Sequence, residues 1–421
     1  MLLAPEMDVI RPAMSSSPDR SRVLYLTHRV PFPPNRGDRI RNYHLLRQLS
    51  TRASVSLLAF ADEPVHPETL AVLHDYCERV AIVPVGGRTR WLRAAASLGC
   101  GRSLSEGLFR SHEADRILTE WQRETPFTSA VVSASSLSPY LRHNGLEQVP
   151  GIVDLVDVDS QKWLDFAAAA SGWRKWAYRL EGRRVRKLEA RLPQWAETVS
   201  VVSPAEAELY DRFAGAGAAT VAPHGVDLDY WQPGEYPAIP WMQPSCIFVG
   251  AMSYRPNVDA VQWFAREVWP GVRQRHPNAV FTIVGQNPAH EVWELNGRVP
   301  GVSVLGAKAD VRPWLAAATV SIAPMRLGRG VQNKVLEALA MEKPTVVSSA
   351  ALMGITAEPN RDLLLATSPN EWVDAVSGLF ADAERRTSLG QAARQYVETH
   401  HHPVRGLAPL LDAIAPASRS T

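Results

Sequence analysis

The stretch that decides the fold is residues 323–347: Ala-Pro-Met-Arg-Leu-Gly-Arg-Gly-Val-Gln-Asn-Lys-Val-Leu-Glu-Ala-Leu-Ala-Met-Glu-Lys-Pro-Thr-Val-Val. It opens on the end of a short apolar strand, 320–323. A loop with Gly328 and Gly330 follows. Val331, Val335 and Leu339 recur at i, i+4 and i+8, which predicts a helix over 331–341 with these residues against a core. Pro344 separates it from a further strand, 345–348. Glycines ahead of a helix expose backbone N–H groups, and the helix dipole adds partial positive charge, a combination suited to a diphosphate. Lys334 adds a full charge. Glu337, three residues on and on the same neighbouring face, can accept two hydrogen bonds from vicinal hydroxyls such as a ribose offers. From spacing alone, an ordinary strand–helix turn with a surface Lys334–Glu337 pair fits equally well.

The same alternation extends outward. Strands are expected at 22–27, 53–60, 80–85, 130–134, 151–155 and 198–202, with helical spacing at 39–49 and 67–77. The pattern restarts with strands at 245–249, 280–284 and 302–305 and a helix over 259–274. Short apolar strands alternating with helices predict parallel sheets covered on both faces. The reading is α/β, with four segments: a disordered tail at 1–20, an N-terminal Rossmann-like acceptor-binding domain at 21–222, a C-terminal Rossmann-like nucleotide-sugar domain at 223–385, and C-terminal helices at 386–421 returning towards the N-terminal domain.

The 421 residues, 46% apolar and 21% charged, suit a folded chain with two sizeable cores. Lys and Arg number 45 against 43 Asp and Glu, so the net charge of +2 argues against a nucleic-acid binder working through whole-chain charge. Residues 1–17 read as neither signal peptide nor anchor. Three scattered cysteines form no CxxC pair and fit a reducing cytoplasm.

Several motifs together resemble the family-4 glycosyltransferases, which have the GT-B fold, two Rossmann-like domains facing across a cleft. Pro324, Gly330, Lys334, the Leu336-Glu337-Ala338-Leu339-Ala340 run and Pro344-Thr345-Val346-Val347 resemble that family's donor-nucleotide segment. Pro223-His224-Gly225-Val226-Asp227, Val249-Gly250 with Arg255-Pro256-Asn257, Ile283-Val284-Gly285 and Val304-Leu305-Gly306 follow in the family's order. The 29–41 loop resembles its N-terminal glycine loop. The combination is most similar to exopolysaccharide sugar transferases associated with exosortase systems. One departure stands out. Where many members carry a glutamate that binds the donor sugar, this chain has Arg329, which can only donate hydrogen bonds and suits a phosphate or a carboxylate.

The resemblance implies a retaining transfer of a sugar from a nucleoside-diphosphate sugar to a glycan or lipid-linked saccharide acceptor. It implies no metal and no cofactor besides the nucleotide sugar. Gly330, Val331 and Lys334, with Arg255 and Arg329, would hold the diphosphate and steady charge on the leaving phosphate. Glu337 would bind the ribose, and Gly306 and Ala307 would receive the base. Gly37 would allow close approach of the backbone from the other domain.

Other features are open to two readings. Asp154, Asp157 and Asp159 form either an acceptor or general-base site, with Asp157 the favoured residue, or a strand edge followed by an N-cap at Asp159 or Ser160. His28, directly after the first strand, is a candidate catalytic group or a satisfied strand-end histidine. His400, His401 and His402 read as solvated. The 173–192 segment carries eight Lys and Arg against Glu181 and Glu189, with Trp173, Trp176 and Tyr178 interleaved. It reads as a solvated helix face or a surface for an anionic membrane, which would make the protein peripheral on the inner face of the membrane. The functional alternatives are a catalytically inactive nucleotide-sugar or glycan sensor and a nucleotide-sugar epimerase on the same fold.

Overall fold

The computed structural model describes residues 20–86, 89–239, 244–328 and 330–414, the side chains of 89–91 excepted. The N-terminal tail before Arg20 and the Arg329 position lie outside the described residues. The chain divides into two compact units. Residues 225–403 form the second, and the chain up to His224 together with residues from Val404 onward forms the first.

In the first unit seven strands make one parallel sheet: β1 (Arg22–Thr27), β2 (Ser54–Ala61), β3 (Arg79–Pro84), β4 (Ser129–Ser133), β5 (Gly151–Val156), β6 (Thr198–Val201) and β7 (Thr220–Val221). Their spatial order is 3-2-1-4-5-6-7. Strands β1, β2, β4 and β5 are buried almost throughout, as expected where helices cover both faces. Arg41, on helix Gly37–Arg52, is buried in the interior. Its guanidinium donates to both oxygens of Asp154 on β5, at 2.7 and 2.8 Å, and to the Pro223 carbonyl at 3.3 Å. Ser200 also donates to Asp154, so the acid is satisfied from two elements. Asp154 is thus a structural residue.

Helices Asp159–Ala169 and Gly172–Glu189 form an antiparallel hairpin. Gly182 permits their close approach, since a Cβ there would sit 3.0 Å from the Leu164 side chain and 3.1 Å from the Ser160 carbonyl. The helix that starts at Asp159 is not capped by Asp159 or Ser160. Its N-terminal amides at Val158 and Ser160 are taken by Glu206 and Glu189, two buried acids from other helices. A cap drawn from distant sequence leaves no local signature.

In the second unit six parallel strands, β8 (Ser245–Val249), β9 (Val280–Val284), β10 (Val302–Gly306), β11 (Val320–Ala323), β12 (Thr345–Val347) and β13 (Leu364–Leu365), run in the order 10-9-8-11-12-13. The helix expected over 259–274 begins earlier and is interrupted. Helix Arg255–Trp263 passes through a wider π turn, Phe264–Val268, into helix Trp269–Arg275. Pro270 has no N–H to return to the preceding turn, which accounts for the break. Helix Ala383–His400 stays in the second unit, and the chain re-enters the first at helix Pro403–Ile414. His401 is buried rather than solvated: its Nε2 lies 3.0 Å from the Tyr396 hydroxyl and its carbonyl accepts from Val226 N–H.

Candidate functional site

In an open parallel sheet, ligands bind beyond the carboxyl ends of the strands where the strand order reverses, because the loops there diverge and leave a crevice. In the second unit that point lies between β8 and β11. The loop after β8 carries Gly250 and leads to Arg255. The loop after β11 carries Gly328 and Gly330. The strand ends are drawn tightly together. Gly250 N–H donates to Val284, Gly285 N–H donates to Gly306, and a Cβ at Gly285 would lie 1.7 Å from the Gly250 carbonyl oxygen. Only glycine tolerates that approach. Arg326 spans the crevice wall, its Nε donating to Asp259 at 3.0 Å on helix Arg255–Trp263.

The helix expected over 331–341 is shorter, Asn333–Ala340. Gly330 has φ 72, in the left-handed region, and Gln332 is extended, so Val331 and Gln332 belong to the loop. This lengthens the loop between β11 and the helix. Val335 and Leu339 are buried as expected, and Val331 packs against the same core.

Lys334 and Glu337 are half-buried, each keeping some contact with solvent. The Lys334 ammonium lies 5.6 Å from the Phe248 ring centroid, over β8, and donates to Gln332 Oε1 at 3.1 Å. Burial lowers its pKa to about 8, opposed by attraction to Glu337. Burial raises the Glu337 carboxyl to about 7, opposed by Lys334. Both ionised forms are thus disfavoured in the free protein. A half-buried lysine and acid with pKa values displaced towards neutral pH, at a strand-order reversal, make this segment a candidate functional site.

A cluster of three residues, Tyr230, Asp310 and Arg312, carries no signal in the sequence. Arg312 stacks over Tyr230 at 3.8 Å and donates to both oxygens of Asp310. Burial pushes the Tyr230 hydroxyl up to about 12, with Asp310 and Glu337 adding to the rise. Tyr230 sits in an irregular segment without periodicity. Gly306, with φ 68, ends the edge strand β10, and the Trp293 indole would lie 3.7 Å from a Cβ there. Ala307 is exposed beside it, and Arg255 is exposed at the start of its helix. The second unit therefore gathers Gly330, Val331, Lys334 and Glu337 into one short segment. Arg255 lies on the loop after β8, and Gly306 and Ala307 lie two strands from β8. A cavity of about 370 Å³ lined by Thr319, Lys343, Arg386 and Thr387 lies at the opposite, N-terminal ends of β11 and β12. The Lys343 ammonium there is bound to the Ala316 and Ala318 carbonyls, a structural use.

In the first unit the order reverses between β1 and β4. His28 follows β1, and its Nε2 lies 3.2 Å from Asp38, an acid at the start of helix Gly37–Arg52. Burial opposes ionisation of Asp38, but His28 and Arg29 together hold it well below the usual carboxylate range. Gly37 is the exposed first residue of that helix and has no left-handed φ. Asp157 follows β5, half-buried. The Asp159 carboxyl is raised by burial, partly offset by the charges of Lys162 and His28. Ala134 (φ 90) and Val156 (φ 66) sit at the carboxyl ends of β4 and β5 in a region that L-residues avoid. Such strain, of order 1–3 kcal/mol each, collects at functional sites.

Residues 243–382, most of the second unit, match the family model described as glycosyl transferases group 1. That match lies wholly within the second unit. The whole chain is similar in fold to GT-B glycosyltransferases. A sucrose-phosphate synthase from Thermosynechococcus elongatus superposes with TM-score 0.66 at 15% identity, over 93% of this chain and 97% of that one. The HepE protein of Anabaena, in complex with UDP-glucose, gives 0.64 at 14% identity, over 94% and 100%. WaaG, a glycosyltransferase involved in lipopolysaccharide biosynthesis, gives 0.65 at 14%, over 94% and 100%. No curated protein matches the chain.

Proposed function

We propose that the chain is a retaining glycosyltransferase that moves a sugar from a nucleoside-diphosphate sugar to a glycan or lipid-linked acceptor, in the cytoplasmic assembly of a bacterial exopolysaccharide. The observation that carries this reading is the placement of Lys334 and Glu337 one turn apart on helix Asn333–Ala340, at the β8–β11 reversal, with burial moving the pKa of each towards neutral pH. A diphosphate arriving at Gly330 and Val331 supplies the counter-charge that Lys334 lacks. The lysine is then fully protonated, and it stabilises negative charge growing on the leaving phosphate. Glu337 accepts hydrogen bonds from the ribose, the backbone at Gly306 and Ala307 meets the base, and Arg255 adds charge on the phosphates. The reading requires no cofactor beyond the nucleotide sugar, because these cationic groups supply the positive charge.

In the first unit, Gly37 and the helix it starts present backbone amides at the carboxyl end of β1. His28, oriented by Asp38, and Asp157 lie at the strand ends where an acceptor hydroxyl would enter. The bound UDP-glucose of the HepE structure makes UDP-sugars the first donors to try. The test is a melting-temperature screen of nucleoside diphosphates and their sugars, followed by turnover with crude lipid-linked acceptor and NMR of the anomeric proton. At a ligand concentration of about 100 times Kd, binding adds about 2.7 kcal/mol of stability, readily seen as a shift. Lys334→Ala abolishes that shift. If no nucleoside diphosphate raises the melting temperature, the assignment fails. A product of inverted configuration removes the retaining mechanism alone.

A further inference from the structure

We propose that the outer face of the helical hairpin 159–189 in the first unit is a docking surface for an anionic lipid bilayer. Helix Gly172–Glu189 contains two acids, and both are turned inward. Glu181 accepts from the Leu104 and Ser105 amides at 2.7 and 2.9 Å, serving as a cap for helix Leu104–Phe109. Glu189 accepts from Ser160 N–H and is buried. The outward side therefore carries cations without compensating acids from its own helix. Lys175, Arg179, Arg183 and Lys187 recur every four residues and are all exposed. Of the three other basic residues on this helix, Arg174 is exposed and lies over the Trp173 ring at 5.8 Å, while Arg184 and Arg186 are committed to protein partners, the Arg102 carbonyl and Gln161.

Aromatic exposure at the same end decides between a solvated face and a docking face. Trp173 is 75% exposed and Trp176 67% exposed, one turn apart at the start of the helix. Phe166, on the helix before the turn, is 47% exposed and packs on Tyr178 at 6.0 Å between ring centroids. Large aromatics left in water cost free energy, whereas at a bilayer interface the ring enters the headgroup region and neighbouring cations meet lipid phosphates. A soluble partner with an acidic surface would match the charge stripe, but adjacent exposed tryptophans flanked by cations at a hairpin tip are the arrangement that a bilayer interface favours. The surface uses no residue of the nucleotide site. It would bring the chain to the leaflet in which a lipid-linked acceptor resides.

The test is sedimentation of the full chain with vesicles of phosphatidylcholine alone and of phosphatidylcholine with 30% phosphatidylglycerol, at low and high salt. Binding is expected to the anionic vesicles only and to weaken as salt rises. Each basic residue near an anionic surface is worth about fivefold in affinity. The charge-reversed variant Lys175→Glu/Arg179→Glu/Arg183→Glu/Lys187→Glu should therefore lose at least about a hundredfold. Trp173→Ser/Trp176→Ser should lose about tenfold or more in anionic vesicles. All these residues are exposed, so unchanged melting temperatures and nucleotide affinity should accompany the losses. Equal binding to neutral vesicles, unaltered binding by the charge-reversed variant, or tighter binding to duplex DNA than to anionic vesicles each overturns the proposal. Because vesicle binding is read without a nucleotide, its failure is distinct from failure of the transferase reading.

Discussion

Glu337→Gln is expected to stabilise the protein at alkaline pH and weaken its hold on nucleotide. The carboxyl rises from its ordinary 4.5 to about 7, which corresponds to about 3 kcal/mol disfavouring the ionised form in the folded chain. The sign follows from linkage. Below pH 4.5 the acid is protonated both folded and unfolded, and there is no penalty. As pH rises through 4.5 the unfolded chain ionises first, and folding loses stability until Glu337 itself ionises near 7. Glutamine keeps the shape and removes the proton equilibrium. Lys334 loses the attraction of Glu337, so about 3 kcal/mol is a ceiling and 1–2 kcal/mol a reasonable expectation. The variant should melt with wild type at pH 4.5 and above it at pH 8. The carboxylate's hydrogen bonds to a ribose are charge-assisted, worth about 1.5–3 kcal/mol each, so UDP affinity should fall by at least about tenfold. Melting curves across pH 4.5–8.5 with calorimetric titration of UDP supply both readouts. A variant that is less stable than wild type at pH 8, or that binds UDP as tightly, refutes the reasoning.

Nucleoside diphosphate affinity of the wild type should rise from pH 6 to 7 as Glu337 ionises and fall above about pH 8 as Lys334 loses its proton, giving a bell in isothermal titrations. Arg41→Ala leaves Asp154 buried without its bidentate partner and should cost about 3–5 kcal/mol in urea unfolding. Gly285→Ala forces a methyl into the Gly250 carbonyl and should cost more than about 3 kcal/mol, with loss of UDP binding, in the same two assays. Glu189→Gln preserves the acceptor for Ser160 N–H. Burial pushes the Glu189 carboxyl up to about 8, so the variant's stability should decline less than that of wild type between pH 4.5 and 8, as followed by thermal melts.

The strands were legible because a sheet covered on both faces demands runs of apolar residues, a property of composition over five or six positions. β1, β8, β9 and β11 coincide with the segments expected from the sequence. The two-residue edge strands β7 and β13 were not, since so short a pair carries no pattern. The candidate donor segment stood out for a different reason: its glycines, Lys334 and Glu337 lie close together in one short stretch of sequence. What sequence could not supply were partnerships made across distance. Arg41 meets Asp154 from 113 residues away, Glu206 and Glu189 cap a helix remote from both, and Asp310 and Arg312 assemble beside Tyr230. Local order thus determined which segments form strands and where the glycine loop after β11 lies. Tertiary packing alone decided which charges are buried, and burial, which depends on every neighbour at once, set the protonation of Lys334 and Glu337.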